Sequence, residues 1–580
     1  MDNNVTLNSA AGVGLKKTKM GLLTVAFMIF NLCAGGCFGI EEMVSGVGPG
    51  MTLALLLVIP VIYGYPIGLM CAELGSAIPD EGGFYEWPKK AFGEFWGFQA
   101  GWWRTIATYI DNTLYVILAG TYVMYAFNLT PMQGYMVKVA CITVFIVINL
   151  VGLKEVGVMS SVLATLVLVA FTTVAIVALF HLNVNPVDPF IPPDSSVTES
   201  LGTGLAIAMW CYCGYESMSS LAGEMENPQV IPKALVIAIP AIAFIYIFPT
   251  ITSVSAIGHW DEWAVDGGYT YATVLETFLP AAIGGGIAIV FAFVAVAANL
   301  GIYNSYVASG SRGFFVLAKD NLCPRFLAKV GKRSGVPYFA VILMGITNAI
   351  LCLFAFEAVV VIDVFVYMFS QALTQFAGIK LRRMIPVAER PKETFRIPFG
   401  EKGFVAVAIV PLIVIAVALY INGTDYFIGG IIGVVSGPIA YIVFKRIYKG
   451  LYVNDPVNHP INPRTKLGVG DLKHISNMLF IIAAIALVGA FFLPFYEGSW
   501  ANGYVSDMAE VTDYGYTEDE WTTLANGDIW IKGYYEGIYG PKDIFGTMIL
   551  AIRLTVPIAA VAGIILRLYD RRTRKALEVA

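Results

Sequence analysis

Charge is what this sequence has least of. Asp, Glu, Lys and Arg make up 13% of its 580 residues, against 57% hydrophobic, with a mean hydropathy of +0.72. A soluble globular chain is about a quarter charged, so this one lacks the polar residues to cover a surface facing water. Histidine is scarce, at four residues. There is no His-Glu-x-x-His, no nucleotide-binding glycine loop and no paired-aspartate motif, which removes the usual signatures of a membrane-embedded enzyme. The chain is therefore read as a non-enzyme, with no catalytic residue, no metal site and no cofactor. The eight cysteines, Cys33, Cys37, Cys71, Cys141, Cys211, Cys213, Cys323 and Cys352, fall in apolar runs or in loops assigned to the cytoplasm. With no pair in an external loop, a disulfide framework is not expected, and Cys211-Tyr-Cys213, with no histidine nearby, reads as packing. The net charge of −5 gives no electrostatic footprint for nucleic acid, which is not expected as a partner.

What is present is a series of long apolar runs. About 20 apolar residues cross a bilayer as a helix, and in lipid only helices or a closed barrel satisfy the backbone. The runs do not alternate with period two, so helices are expected. Fourteen spans are read, near 20–45, 52–74, 96–126, 133–152, 157–181, 203–222, 234–257, 283–308, 337–356, 358–379, 403–421, 427–444, 476–494 and 546–567. The first follows Lys16, Lys17 and Lys19 and continues past any ordinary signal-peptide core, so it is taken as a transmembrane helix.

Loop charge orients the spans, because cytoplasmic loops accumulate Lys and Arg. Loops 309–336, 380–402 and 445–475 carry the basic residues, among them Arg312, Lys319, Arg382 and Arg383, whereas 182–202 and 258–282 contain none. Both termini are then cytoplasmic and the membrane is the plasma membrane. The expected layout is a tail at 1–19, a ten-helix transport core at 20–402, helices eleven and twelve at 403–445, a cytoplasmic loop at 446–475, and helices thirteen and fourteen at 476–567. An acidic, aromatic external loop at 495–545 would cap the last two, and a basic tail at 568–580 would close the chain.

The first span contains Cys33-Ala34-Gly35-Gly36-Cys37-Phe38-Gly39-Ile40-Glu41-Glu42. Gly35 and Gly39 are spaced as small-xxx-small, which serves close helix packing. A second reading comes from the sixth span. Gly39-Ile-Glu41-Glu-Met43-Val-Ser45 matches Gly214-Tyr-Glu216-Ser-Met218-Ser-Ser220 in Gly, Glu, Met and Ser, five helices apart. Glycine-interrupted segments at corresponding positions of two halves point to a midplane site built from broken helices. An unwound turn frees backbone N–H and C=O groups that are tolerable only where they line a cavity. Half-helix N-termini suit a substrate carboxylate, and freed carbonyls beside an acid suit an ammonium group. A site offering both takes an amino acid; one dominated by acids takes an amine.

These residues resemble the amino acid–polyamine–organocation transporters. Asn31 to Phe38 is similar to that family's small-residue trio in the first helix, with Ala34 where its first glycine stands. Trp210-Cys-Tyr-Cys213-Gly214-Tyr215-Glu216 resembles its Trp…Gly-x-Glu signature. Glu224-Met-Glu226-Asn-Pro228, the Ala72–Gly97 loop and Ser311-Arg312…Pro324 resemble further signatures. The likeness runs from about Lys19 to Gly400. It implies an all-α membrane protein with a five-plus-five inverted-repeat fold and discontinuous helices 1 and 6, working by alternating access. It also implies a substrate site at Ala34, Gly35, Gly36, Cys37, Phe38, Gly39, Glu41, Trp210, Cys213, Gly214, Tyr215 and Glu216. Within that set, the small-residue trio would hold a carboxylate, Cys213 and Gly214 would meet the ammonium end, Trp210 would gate and Glu216 would couple. Gly35 to Glu41 looks most like the polyamine and large-amino-acid branch, with Cys37 in place of its usual proline.

Charges inside the membrane are functional candidates, costing roughly 3 kcal/mol each. Asp111 lies mid-span with Tyr115 one turn on and Arg104 two turns before it. Asp111 is read either as half of a structural pair that reaches Arg104 through water or an intervening group, or as a proton or ammonium site. Of Glu41 and Glu42, at most one faces the cavity. Asp363 is placed near the external edge, and Arg553 is an orphan in span fourteen. The expected function is a secondary permease for amino acids, by proton symport or exchange, with protons as the possible coupled partner. A polyamine or amine carrier of the same fold and a non-transporting nutrient sensor are the alternatives.

Overall fold

The first apolar run does not form one helix. In the computed structural model, α1 covers Leu22–Asn31 and α2 covers Ile40–Val47. The last turn of α1 tightens, with Cys33 N–H donating to the Phe30 carbonyl three residues back, which is how a helix closes its end. The structure describes residues 18–578 apart from 34–38, 79, 81, 128, 194, 196, 215–216, 219–220, 222–224, 228, 264–267, 355, 386–393, 399, 502–503, 506–520, 524–528 and 532–543.

The remaining helices follow the apolar runs. α3 (Pro49–Ile59) passes through a π turn at Pro60–Gly64 into α4 (Tyr65–Ala77). Pro60 and Pro66 there lack the N–H that a regular helix needs. A short amphipathic helix, α5 (Gly83–Phe92), precedes α6 (Glu94–Phe127). Then come α7 (Pro131–Val151), α8 (Leu153–Leu179), α9 (Val197–Cys211), α10 (Val230–Ile257), α11 (Tyr271–Phe278) and α12 (Ala281–Lys319). The chain continues with α13 (Tyr338–Leu351), α14 (Phe356–Met384), α15 (Gly400–Ile421), α16 (Thr424–Tyr448), α17 (Asp471–Ala501) and α18 (Ile544–Glu578). Among the described residues, eight helical runs are long and apolar enough to cross a membrane.

The long helix α6 packs along both α12 and α14, while α1 lies against α8 and α10, and α2 and α3 lie against α9. The two interrupted regions thus sit inside a cage of continuous helices. At the basic end of α14, Arg382 pairs with Glu73 at 2.8 Å, and Glu73 also accepts from Ile397 N–H at 2.9 Å. The α5 helix is tied to the end of α12: Tyr85 donates to Asp320 at 2.5 Å and Lys89 donates to the same carboxylate at 2.6 Å. Burial pulls the Lys89 ammonium down, but the charges of Asp320 and Glu86 outweigh it and hold the group above the usual lysine value. Burial, reinforced by Asp320, keeps the Tyr85 hydroxyl protonated and therefore a donor.

α17 and α18 pack chiefly on each other and reach the rest through α15, α16 and α6. Polar contacts hold the start of α6 to both α16 and α17. Lys445 on α16 meets Glu94 at 2.5 Å with both side chains buried, and Leu451 N–H donates to the same carboxylate at 2.9 Å. Trp96 Nε1 donates to His474 Nδ1 at 3.1 Å. The expectation of a wholly helical chain needs one amendment: residues 504–531 include three short antiparallel strands, β1 (Tyr504–Val505), β2 (Trp521–Thr523) and β3 (Ile529–Ile531), in the order β1-β3-β2. The aromatic and β-branched residues of that segment favour paired strands.

Candidate functional site

The two helix ends meet. α9 stops at Cys211, with Cys213 N–H bonded three residues back to Trp210 and Gly214 at φ +104°. That backbone conformation favours glycine, and space demands it too. A methyl group on Gly214 would fall on the Tyr306 hydroxyl and within 2.5 Å of the Leu32 carbonyl. The Cys33 thiol donates to the Cys213 carbonyl at 2.9 Å. The Tyr246 hydroxyl, from α10, lies against the Cys33 carbonyl and 3.1 Å from the Cys211 carbonyl, joining both ends through one side chain. Gly39, at the start of α2, leaves 3.4 Å between an added methyl and the Trp210 ring.

Trp210 is the centre of the arrangement. Its Nε1 donates to Asp111 Oδ1 at 3.1 Å. The ring stacks on Tyr115 at 5.7 Å and 11°, and Tyr115 stacks on Tyr306 at 5.9 Å and 14°. The Tyr115 hydroxyl reaches Asp111 Oδ2 at 3.5 Å. On its other side Trp210 shares a small cavity, about 10 Å³, with Cys213, Tyr63, Tyr367 and Asp363. Asp363 is therefore not at a solvated edge as its place in the apolar run suggested: it is 4% exposed.

Arg104 points elsewhere than to a direct pair with Asp111. Its guanidinium hydrogen-bonds Ser217, just beyond the α9 break, and stacks on Phe84 at 4.7 Å and Tyr367 at 4.4 Å. It lines a cavity of about 30 Å³ with Ser217, Thr105 and Ser309. Glu41 is buried at 1% exposure while Glu42 is exposed, so only one of the adjacent acids faces inward. Behind α1, Asn31 donates to the Ser160 carbonyl at 2.6 Å, and Ser160 Oγ lies 3.2 Å from both Ser305 and Asn304. This polar seam fixes the end of α1 against α8 and α12.

Of the residues expected from sequence, the structure brings together Gly39, Trp210, Cys213, Gly214, Asp111 and Tyr115. It buries Glu41 against the Tyr271 backbone of α11. Ala34, Gly35, Gly36, Cys37, Phe38, Tyr215 and Glu216 lie outside the described residues. Sequence reasoning missed Tyr246, Tyr306 and Ser217, and misplaced Asp363. A tyrosine in an apolar run gives no signal of its own, whereas Asp363 carried one in being an acid inside such a run.

Residues 20–440 match the family described as amino acid permease. The chain belongs to the amino acid permease family. This permease is accordingly a multi-pass membrane transporter. It is 29% identical over 437 residues to Polyamine transporter RMV1 of Arabidopsis thaliana, covering 74% of this chain and 86% of that one. It is 30% identical over 415 residues to Polyamine transporter PUT1 of Oryza sativa subsp. japonica, covering 70% and 74%. Among solved structures, the permease resembles MhsT in complex with L-phenylalanine, with a TM-score of 0.53 at 15% identity over 70% of this chain and all of that one. At that identity the likeness concerns the fold, an inverted-repeat arrangement with interrupted first and sixth helices. α17 and α18 lie beyond the matched residues.

Proposed function

We propose that this chain carries organic amines, with di- and polyamines as the preferred substrates, across the plasma membrane by alternating access, coupled to proton symport or exchange. The observation that carries this reading is the pair of buried carboxylates around one indole: Asp111 at the N–H edge of Trp210 and Asp363 across the small cavity beside it. The stacked faces of Tyr115 and Tyr306 continue from the same ring. Carboxylates with aromatic faces are the chemistry that holds alkylammonium groups. The nearby cation, Arg104, is engaged by Ser217 and two rings. The names of the plant relatives support the same substrate class.

An amino acid substrate is the second reading, favoured by the family description. It needs the start of α2 to receive a carboxylate through its N–H groups. The first turn of α2 already carries Glu41 and Glu42, whose carboxyl oxygens compete with a substrate carboxylate for those N–H groups, and this weighs for the amine.

The test is flux of labelled putrescine, spermidine and a panel of amino acids into proteoliposomes, with and without a pH gradient. Amine uptake that disappears in Asp111→Asn and Asp363→Asn supports the proposal. Uptake of amino acids alone, abolished by esterifying their carboxyl group, would replace it with the second reading. No flux of either class would favour a sensor.

A further inference from the structure

Another, much larger cavity among the described residues is lined by none of the helix-break residues. It measures about 830 Å³ and lies between α6, α14, α15, α16 and α17. Its walls are Leu373 and Phe376 on α14, Leu412 and Ile415 on α15, and Ile482 and Ile485 on α17. Apolar walls of this kind do not hold water. At about 30 Å³ for each water-sized or methylene-sized group, the space takes on the order of 30 methylenes, roughly two acyl chains. The cavity follows α14 from Phe369 to Arg383, about 21 Å at 1.5 Å per residue. Half of a 30 Å hydrocarbon core is about 15 Å, so the space runs from a headgroup level through one leaflet.

One end is basic. Lys380 and Arg383 line the cavity there. Arg382 between them is committed to Glu73 and Glu401. Lys380 lies over the Phe92 ring at 4.9 Å, and among the described residues neither Lys380 nor Arg383 makes an ion pair. Two exposed cations at the mouth of a leaflet-deep apolar crevice match a phosphate headgroup above acyl chains.

We infer that this crevice is a binding site for an anionic glycerophospholipid, with its phosphate at Lys380 and Arg383 and its chains between the transport core and α17. The lipid fills the seam by which the appended helices join the matched part of the chain. It is an addition to the amine site and does not depend on that reading.

The experiment uses the full chain purified in mild detergent. Phospholipid that remains bound is quantified by mass spectrometry, and melting is followed in phosphatidylcholine nanodiscs with and without phosphatidylglycerol. About one anionic phospholipid per chain should be retained, and phosphatidylglycerol should raise the melting temperature by several degrees. Lys380→Gln/Arg383→Gln should cut the preference for the anionic lipid about tenfold or more, with melting in phosphatidylcholine unchanged. Ala416→Trp, which fills the crevice from α15, should lose retained lipid of either charge. The inference falls if the double variant keeps the full preference, or if Ala416→Trp retains as much lipid as the parent. It also falls if inorganic phosphate in neutral detergent reproduces the rise, which would make the cations a site for a soluble anion.

Discussion

The indole of Trp210 donates to Asp111 across 3.1 Å, and in doing so ties the last turn of α9 to the middle of α6. The same ring begins the stack that runs through Tyr115 to Tyr306 on α12. A movement of the interrupted helix is thus felt by a carboxylate and by two continuous helices at once.

Trp210→Phe keeps the stack and removes the donor. A hydrogen bond to a charged group is worth about 1.5–3 kcal/mol, so the Km for a diamine should change by roughly ten- to a hundredfold in proteoliposome flux. Asp111→Asn should abolish diamine uptake while leaving melting within a few degrees of the parent, because the amide still accepts from the indole.

Gly214→Ala should fail in a way that most glycine changes do not. Its φ of +104° and its approach to the Leu32 carbonyl leave no room for a methyl group. Gly46→Ala, on α2, meets nothing within 4 Å. Size-exclusion chromatography of the two variants should show loss of the folded peak for Gly214→Ala only.

Much of this was readable in the order of residues. Long apolar runs can satisfy their backbone only as helices, so the helices fall where the runs do. Glycine at 39 and 214, with an acid two positions later in each, marked both helix interruptions, because the pattern is local. The partners that close the site were not readable for the opposite reason. Tyr246, Tyr306 and Asp363 arrive from α10, α12 and α14, and their place near Trp210 depends on how the helices pack. The strands at 504–531 were missed because segments of two or three residues have too little periodicity to register.

Lys89 sets a pH limit on the contact between α5 and α12. Its folded-state value is raised, so the proton is held more tightly in the folded chain than in the unfolded one. The stabilisation is complete below the ordinary lysine value of about 10.4 and is lost as pH rises through the higher folded value. Melting curves of the parent should therefore fall more steeply above about pH 10.4 than those of Lys89→Met. Between neutral pH and that point the difference between the two should stay constant.

Lys445→Met would leave Glu94 buried without its cation. Breaking a buried pair costs about 3–5 kcal/mol, and thermal melting should drop accordingly. Glu94→Met/Lys445→Met should recover most of the loss, since replacing both partners removes the stranded charge.

Glu94 also receives the Leu451 N–H, and Trp96 leans on His474. Truncation just past residue 440, where the family likeness stops, would discard three of the groups that α6 relies on at its first turn. The first turn of α6 thus rests on a stretch of chain that kinship does not cover, and a polypeptide cut at that boundary should melt below the full-length one.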